Sequence, residues 1–259
     1  MAAIAVVLAG IAVPVALKMV APPAEPYLLV RVLTWNVGLA YGLGDSRADP
    51  RSLDEIAQTI SDADADAAVL QEIKSPLQLD RLLEALGGEY TGGISERERT
   101  DRAIVILVRG VGTFTPVPSK AGRPKIAATF DVGETEVTVV GVHLSAFDPT
   151  RRNAEAREVL AFVRPRPEPT IVAGDFNLDP RDPAAGETDR ETYALFSGEL
   201  RDLGAPAGAT ALLGRRIDYV FARPTEVVEA RPRIVVGKRH GRMDHEPLLV
   251  HVALRRGRS

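Results

Sequence analysis

Over two hundred positions of this chain, each small group of carboxylate, amide or imidazole residues stands at or just past the end of an apolar, β-rich run. The groups are Trp35-Asn36, Gln71-Glu72, His143, Gly174-Asp175-Phe176-Asn177, Ile217-Asp218-Tyr219 and Met243-Asp244-His245-Glu246-Pro247. A sheet can gather strand ends that are far apart in sequence, so this placement asks for a fold whose strands finish at one common edge. Carboxylate and amide oxygens with imidazole suit a hard divalent cation and a phosphate ester.

From Leu28 onward the periodicity alternates strands with helices. Leu28 to Trp35 reads as a strand, Leu53 to Ile60 as a helix with Ser52 or Asp49 near its start, and Ala67 to Leu70 as a strand running into Gln71-Glu72. Leu77 to Leu86 reads as a helix stopped by Gly87-Gly88. Ala103 to Val108, Lys125 to Phe130 and Val137 to Val142 are strands, the last two joined in a hairpin through Gly133. Arg151 to Val163 is a helix, Thr170 to Ala173 a short buried strand and Glu191 to Phe196 a short helix. Ile217 to Phe221 and Leu248 to Leu254 complete the strands. Antiparallel pairs thus interrupt a simple alternating crossover scheme. No internal repeat is present, and one α/β sandwich of packed sheets flanked by helices is expected.

The 259 residues, 45% hydrophobic and 26% charged, can bury a full core. The absence of cysteine excludes disulfides, thiolate metal sites and cysteine nucleophiles, so any metal must use oxygen and imidazole. A net charge of -3 offers no global attraction to nucleic acid or anionic lipid, and steering must come from local clusters.

The first seventeen residues are almost wholly apolar, broken by Gly10 and Pro14, and are followed by Lys18 and a proline-rich stretch. A helix of that length spans roughly 25 Å against a hydrocarbon core of about 30 Å, and adding Met19 to Ala21 makes a crossing possible. Residues 1–21 are therefore expected to be a membrane-spanning or signal-anchor helix, 22–27 a linker and 28–255 the functional domain. A cleaved signal peptide, with a secreted product, is the alternative; the basic n-region such a peptide carries is missing here. The expected localisation is single-pass membrane, with the domain on the extracytoplasmic side as one orientation, although Lys18 and Arg31 argue weakly for the other.

Six motifs in this order resemble the endonuclease/exonuclease/phosphatase superfamily, which includes pancreatic-type deoxyribonuclease, apurinic endonucleases and neutral sphingomyelinases. They are Thr34-Trp35-Asn36, Gln71-Glu72, the strand ending at His143, Gly174-Asp175-Phe176-Asn177, Ile217-Asp218-Tyr219 and Asp244-His245-Glu246-Pro247. The resemblance spans about Leu29 to Leu254. It implies a four-layer sandwich of two packed mixed β-sheets flanked by helices. It also implies a monomeric catalytic domain that hydrolyses phosphodiesters by direct attack of water with Mg²⁺, or Mn²⁺ in its place.

In this resemblance Glu72 is the principal metal ligand, with Asn36 supplying a neutral oxygen and Asp244 a further contact on the metal side. Asp175 orients or deprotonates the attacking water and Asn177 donates to a phosphoryl oxygen. Asp218 holds the ring of His245, which contacts phosphate and handles a proton, and His143 contacts phosphate or protonates the leaving oxygen. Taken singly, each residue has a plain alternative: a surface acid for Glu72, Asx turns for Asn36, Asp175 and Asn177, a core-facing imidazole for His143. The family often carries an acid two residues after the first Asn, and here that position is Gly38.

Most of the 32 basic residues are arginine, a type whose fork suits phosphate oxygens. Arg216, Lys238 and Arg239 are expected to bind substrate because they flank Asp218 and Asp244. Two partners remain open: a nucleic-acid backbone tracked by basic loops, or a phospholipid or sphingolipid head group reached from the anchor. A reading of another class is a membrane-tethered binding protein without turnover.

Overall fold

The protein is described by a computed structural model over residues 27–40, 50–96, 102–120, 122–239 and 243–255. The expected anchor at 1–21 lies outside the described residues, as do Arg97, Arg99 and residues 240–242. Tyr27, placed in the linker by sequence, is the first residue of a strand. Among the described residues no helix is long and apolar enough to cross a membrane.

In chain order the described elements are β1 (Tyr27–Asn36), α1 (Pro50–Asp62), β2 (Ala67–Ile73), α2 (Pro76–Ala85), β3 (Tyr90–Ile94), β4 (Ala103–Arg109), β5 (Gly112–Val117), β6 (Lys125–Val132), β7 (Thr135–His143), α3 (Pro149–Val163), β8 (Thr170–Asp175), α4 (Glu187–Glu199), β9 (Arg201–Asp202), β10 (Asp218–Ala222), β11 (Val227–Ile234) and β12 (Leu248–Arg255). They form two mixed six-stranded sheets, ordered β11-β12-β1-β2-β4-β3 and β5-β6-β7-β8-β10-β9. Within them β1 runs parallel to β2 and β7 parallel to β8, while the remaining pairs are antiparallel.

Three apolar layers hold this together. Val30, Val69 and Ile106 of the first sheet meet Val139, Ile171 and Val220 of the second in the central core. Leu33 and Leu70, on the other face of the first sheet, pack with Ile56 and Ile60 of α1 and Leu82 of α2. Val140 and Val172 of the second sheet pack with Val159 of α3 and Phe196 of α4. Central strands covered on both faces need apolar side chains at nearly every position, which is why β2, β4 and β8 read as continuous apolar runs rather than alternating ones.

The strands that periodicity does not reveal lie at or near sheet edges. β3 ends one sheet and carries Gly92 and Gly93; β5 ends the other and carries Pro116; β11 ends the first sheet opposite β3 and carries Pro232. Edge strands need fewer apolar residues and tolerate a missing N–H, so their sequences look like loops. The hairpin joining β6 to β7 is as expected, with Gly133 at φ 61° in its turn.

The topology places the chemistry. The parallel strands β1, β2, β7 and β8 all finish at one edge with Asn36, Gln71-Glu72, His143 and Asp175. β10, antiparallel to β8, begins there with Asp218, and β12, antiparallel to β1, begins there just after Asp244-His245.

Candidate active site

Glu72 sits at a register shift in β2 between Gln71 and Ile73 and has φ 62°. A non-glycine side chain in the left-handed region is strained, and such strain persists where the surroundings hold a residue for a purpose. The shift turns the Glu72 carboxylate out of the sheet, where Oε1 accepts a 2.9 Å bond from Nη1 of Arg102. Asn36 lies between two acids: its Nδ2 donates to Oδ2 of Asp175 at 3.0 Å and stands 3.5 Å from Oε1 of Glu72. Its Oδ1 accepts from the Gly38 N–H at 3.1 Å. Neighbouring carboxylates draw the donor end of an amide, so the oxygen contact expected of Asn36 requires that amide to turn over.

Asp175 follows Gly174, whose φ is 154°; a Cβ there would stand 2.0 Å from the Val142 carbonyl oxygen, so only glycine lets β8 lie this close to β7. The Asp175 carboxylate is buried. Oδ1 accepts from the backbone N–H of Asn177 at 2.8 Å, and Nε2 of His143 is 3.5 Å from Oδ2. Burial raises its pKa to about 6, and Asp218 adds to the rise, against the opposing effects of His245 and the two donors. His143 is cross-strand neighbour to Asp175. Burial, then the charges of Arg123, His245 and Arg102, hold its pKa well below the ordinary value, so the ring is neutral. Asn177, at φ 53°, donates from Nδ2 to the Leu144 carbonyl at 3.1 Å, which ties the Asp175 loop to the end of β7.

Asp218 pairs across the sheet with Asp175, and its Oδ2 lies 2.8 Å from Nδ1 of His245. Burial opposes a charged ring at His245, yet Asp218, followed by Asp175 and Asp244, holds its pKa up to about 10. The imidazolium directs Nε2 into the site, 4.0 Å from Oδ2 of Asp175 and 3.9 Å from Oδ1 of Asp244. Three contacts fix its loop. The buried Trp35 donates from Nε1 to the His245 carbonyl at 3.0 Å, Glu246 N donates to the Thr210 carbonyl at 2.7 Å, and His245 bridges to Ala211. The Thr210 hydroxyl accepts from the N–H groups of Ile217 and Asp218 at 3.2 Å each.

The structure thus brings together Asn36, Glu72, His143, Asp175, Asn177, Asp218 and His245. Asp244 stands beside His245 with its side chain 51% exposed. Arg216, expected to bind substrate, is instead turned into the core. Its guanidinium is buried on Asp202 at 2.6 and 3.1 Å and lies 4.2 Å from the centre of the Tyr219 ring, because that ring and carboxylate form an enclosed slot beneath β10. Lys238 and Arg239 stay on the surface, paired with Glu55 at 3.4 Å and Glu246 at 3.2 Å. Sequence reasoning gave no role to Arg102 or Thr210. Arg102 carries two signals, a guanidinium fork suited to phosphate and a place directly before a strand; Thr210 lies in a loop without any.

The donor set fits a hard cation. Glu72 joins the Asp175 and Asp218 carboxylates through Asn36, whose amide, once turned over, would add a neutral oxygen donor. Ligand atoms of Asp175, Asp218 and His245 also lie within 4.8 Å of one another. The 2.8 Å contact makes Asp218 and His245 a hydrogen-bonded pair, while Glu72, met by Arg102 at 2.9 Å, and Asp175 are the other carboxylates that could hold a metal.

Two packed sheets with flanking helices and this acid, amide and imidazole cluster at one edge define the phosphoesterase class of α/β sandwich. The chain belongs to the Endonuclease/Exonuclease/phosphatase family, whose family model matches residues 33–238. Members are hydrolases of phosphate esters and are generally dependent on a divalent metal. Among solved structures, an endonuclease/exonuclease/phosphatase from Beutenbergia cavernae superposes with a TM-score of 0.69 at 25% identity, over 89% of this chain and 72% of that one. Truncated Caenorhabditis elegans TDP2 gives 0.63 at 17% identity, over 86% and 97%. The Bacteroides thetaiotaomicron mannosyl-6-phosphatase gives 0.62 at 18%, over 86% and 99%. Comparison with curated proteins finds no significant match.

Proposed function

We propose that the chain is a metal-dependent phosphodiesterase that cleaves nucleic acid by direct attack of water. The observation that carries the chemistry is the buried Asp218–His245 pair facing Asp175 across the cleft. Glu72, with Asn36, would hold Mg²⁺ or Mn²⁺, which supplies positive charge against the negative charge developing on the phosphoryl group. Asp175, with its raised pKa, orients the water and accepts its proton. As the water oxygen bonds to phosphorus, the P–O bond to the leaving alcohol breaks, and that oxygen takes its proton from the His245 imidazolium, which Asp218 keeps charged. Neutral His143 donates a hydrogen bond to a phosphoryl oxygen.

The direction of β1 favours a water-soluble substrate. Should residues 1–21 anchor the chain, the membrane side of the domain is the Tyr27 end of β1, where Arg255 pairs with Tyr27, and the catalytic edge is the Asn36 end. Ten strand residues separate the two by roughly 30 Å. The five linker residues before Tyr27 reach at most about 17 Å, too short to turn the catalytic edge back onto the same bilayer. A lipid hydrolase is the second reading, supported by Phe147 and Leu213, 98% and 97% exposed on loops at the catalytic edge, where apolar tips can enter a lipid surface.

The test sets the detergent-solubilised full chain against plasmid DNA, sphingomyelin mixed micelles and a chromogenic phosphodiester, with Mg²⁺, Mn²⁺ or chelator, and with Glu72→Ala and His245→Ala as controls. Metal-dependent nicking lost in both variants supports the nuclease. Release from micelles without nicking moves the reading to the lipid enzyme, and silence on every substrate leaves a tethered binding protein.

A further inference from the structure

A groove of about 600 Å³ opens at the catalytic edge, between the end of β3 in one sheet and the end of β5 in the other, beyond the residues assigned above. Among the described residues its walls include Ser95, Phe114, Pro116, Ser119 and Lys125, with one acid, Glu96. β4 separates β3 from β2, and β6 separates β5 from β7. Two strand spacings therefore place the groove about 10 Å from Glu72 and His143. Each intervening strand is led by an arginine: Arg102 directly before β4 and Arg123 shortly before β6. Arg102 contacts Glu72, and both arginines act electrostatically on His143. Positive charge thus lies between the phosphoryl site and the groove.

The groove is built into the fold. Gly93 makes room for the Phe114 ring, since a Cβ there would stand 2.4 Å from its carbons. The loop leading into β6 is held by two acids of α3. Glu155, fully buried, accepts from Arg123 N at 2.8 Å and from Ser145 N and Oγ at 2.7 and 2.9 Å. Glu158 accepts from Lys120 N at 2.7 Å and Ser119 Oγ at 3.1 Å. The Lys125 ammonium closes the wall on Ser119 Oγ, the Arg123 carbonyl and Glu158.

Building on the phosphodiesterase reading, we infer that this groove is a nucleoside subsite: it takes the unpaired base and sugar adjoining the scissile phosphate, with Arg102 and Arg123 on the phosphate backbone between. An aromatic wall beside arginines is the chemistry by which single strands are held, because every base offers a π-face and the backbone is anionic. A stacked, paired base cannot enter a groove between two sheet ends, so the subsite selects single-stranded or frayed nucleic acid. Among the described residues Phe114 is the one aromatic side chain lining it, a platform for one base.

The test uses the full chain in detergent with two probes: methyl p-nitrophenyl phosphate, which has no nucleoside, and a fluorescein-labelled single-stranded oligonucleotide. Pro116→Trp fills the groove from an exposed position of edge strand β5, and Phe114→Ala removes the aromatic wall. Anisotropy with Mg²⁺ in an Asp175→Asn background should show oligonucleotide binding weakened about tenfold by either change, with an unchanged melting temperature for Pro116→Trp. Cleavage of the small ester, measured with Asp175 intact, should stay within about twofold. Unchanged oligonucleotide binding in Pro116→Trp, equal loss on both probes, or tighter binding of a duplex than of the single strand would overturn the subsite. Failure of the wild type to cleave the small ester would remove the phosphodiesterase reading instead, while the anisotropy series still decides the groove.

Discussion

Nδ1 of His245 lies 2.8 Å from Oδ2 of Asp218, with both side chains buried, although 27 positions separate them in the chain. The pair fixes the ring so that its other nitrogen faces Asp175, and it keeps a proton on a buried imidazole that burial alone would discharge.

Replacing Asp218 by Asn removes that support. The His245 pKa should fall from about 10 toward the ordinary histidine value of about 6.5, read by NMR of the ring nitrogens. Because the folded value is raised, the stabilisation by this pair is complete below about 6.5 and disappears as pH rises through about 10. Denaturant midpoints of wild type and Asp218→Asn should therefore differ most at acid to neutral pH and converge above about 10. A constant difference across that range contradicts the pairing.

Loss of the imidazolium in His245→Ala should lower kcat by about 10² to 10⁴, with little change in KM for a small phosphodiester. Steady-state kinetics with a chromogenic ester reads this directly; a rise in KM alone would make His245 a ground-state binding group.

Asp175 acts as an acceptor only when ionised. Its value of about 6 means that kcat/KM should climb with pH through that region and level off above it. Metal filling at Glu72 draws this limb to lower pH, so profiles at low and saturating Mg²⁺ should be displaced from each other. Superimposable profiles would separate Asp175 from the metal.

For Glu72→Ala, calorimetric titration with Mn²⁺ should show the principal site lost. Turnover should drop by at least about 10², the scale of one removed electrostatic stabiliser. Retained stoichiometry and affinity would move the metal to the Asp175, Asp218 and His245 group.

Arg216→Ala should act on stability rather than on substrate. It strands Asp202 without its buried partner, a change that costs about 3 to 5 kcal/mol. Urea unfolding should show the loss, and KM in the surviving folded fraction should be unaltered.

Much of this protein is readable along the chain because local rules govern it. Central strands buried on both faces must be apolar, and Asn36, Glu72, His143, Asp175 and Asp218 show up as polar residues that interrupt those runs at their ends. The order of the six motifs points to the family for the same reason. The edge strands β3, β5 and β11 are hidden, since glycine, proline and polar residues are tolerated where one side of a strand is unpaired.

The tertiary structure decided what depends on pairing and direction. Arg216 stands two residues before Asp218 in sequence, yet the Asp202 carboxylate and the Tyr219 ring hold it in the core, while Arg102, one loop arginine among many in sequence, reaches Glu72. The strain at Glu72 and the three-way contact of Asn36 arise from a register shift and from the meeting of two sheets. A side chain's type is set by its codon and its periodicity by burial. Which charge it meets is set by strands brought together from distant parts of the chain, and that long-range pairing leaves no local mark in the sequence.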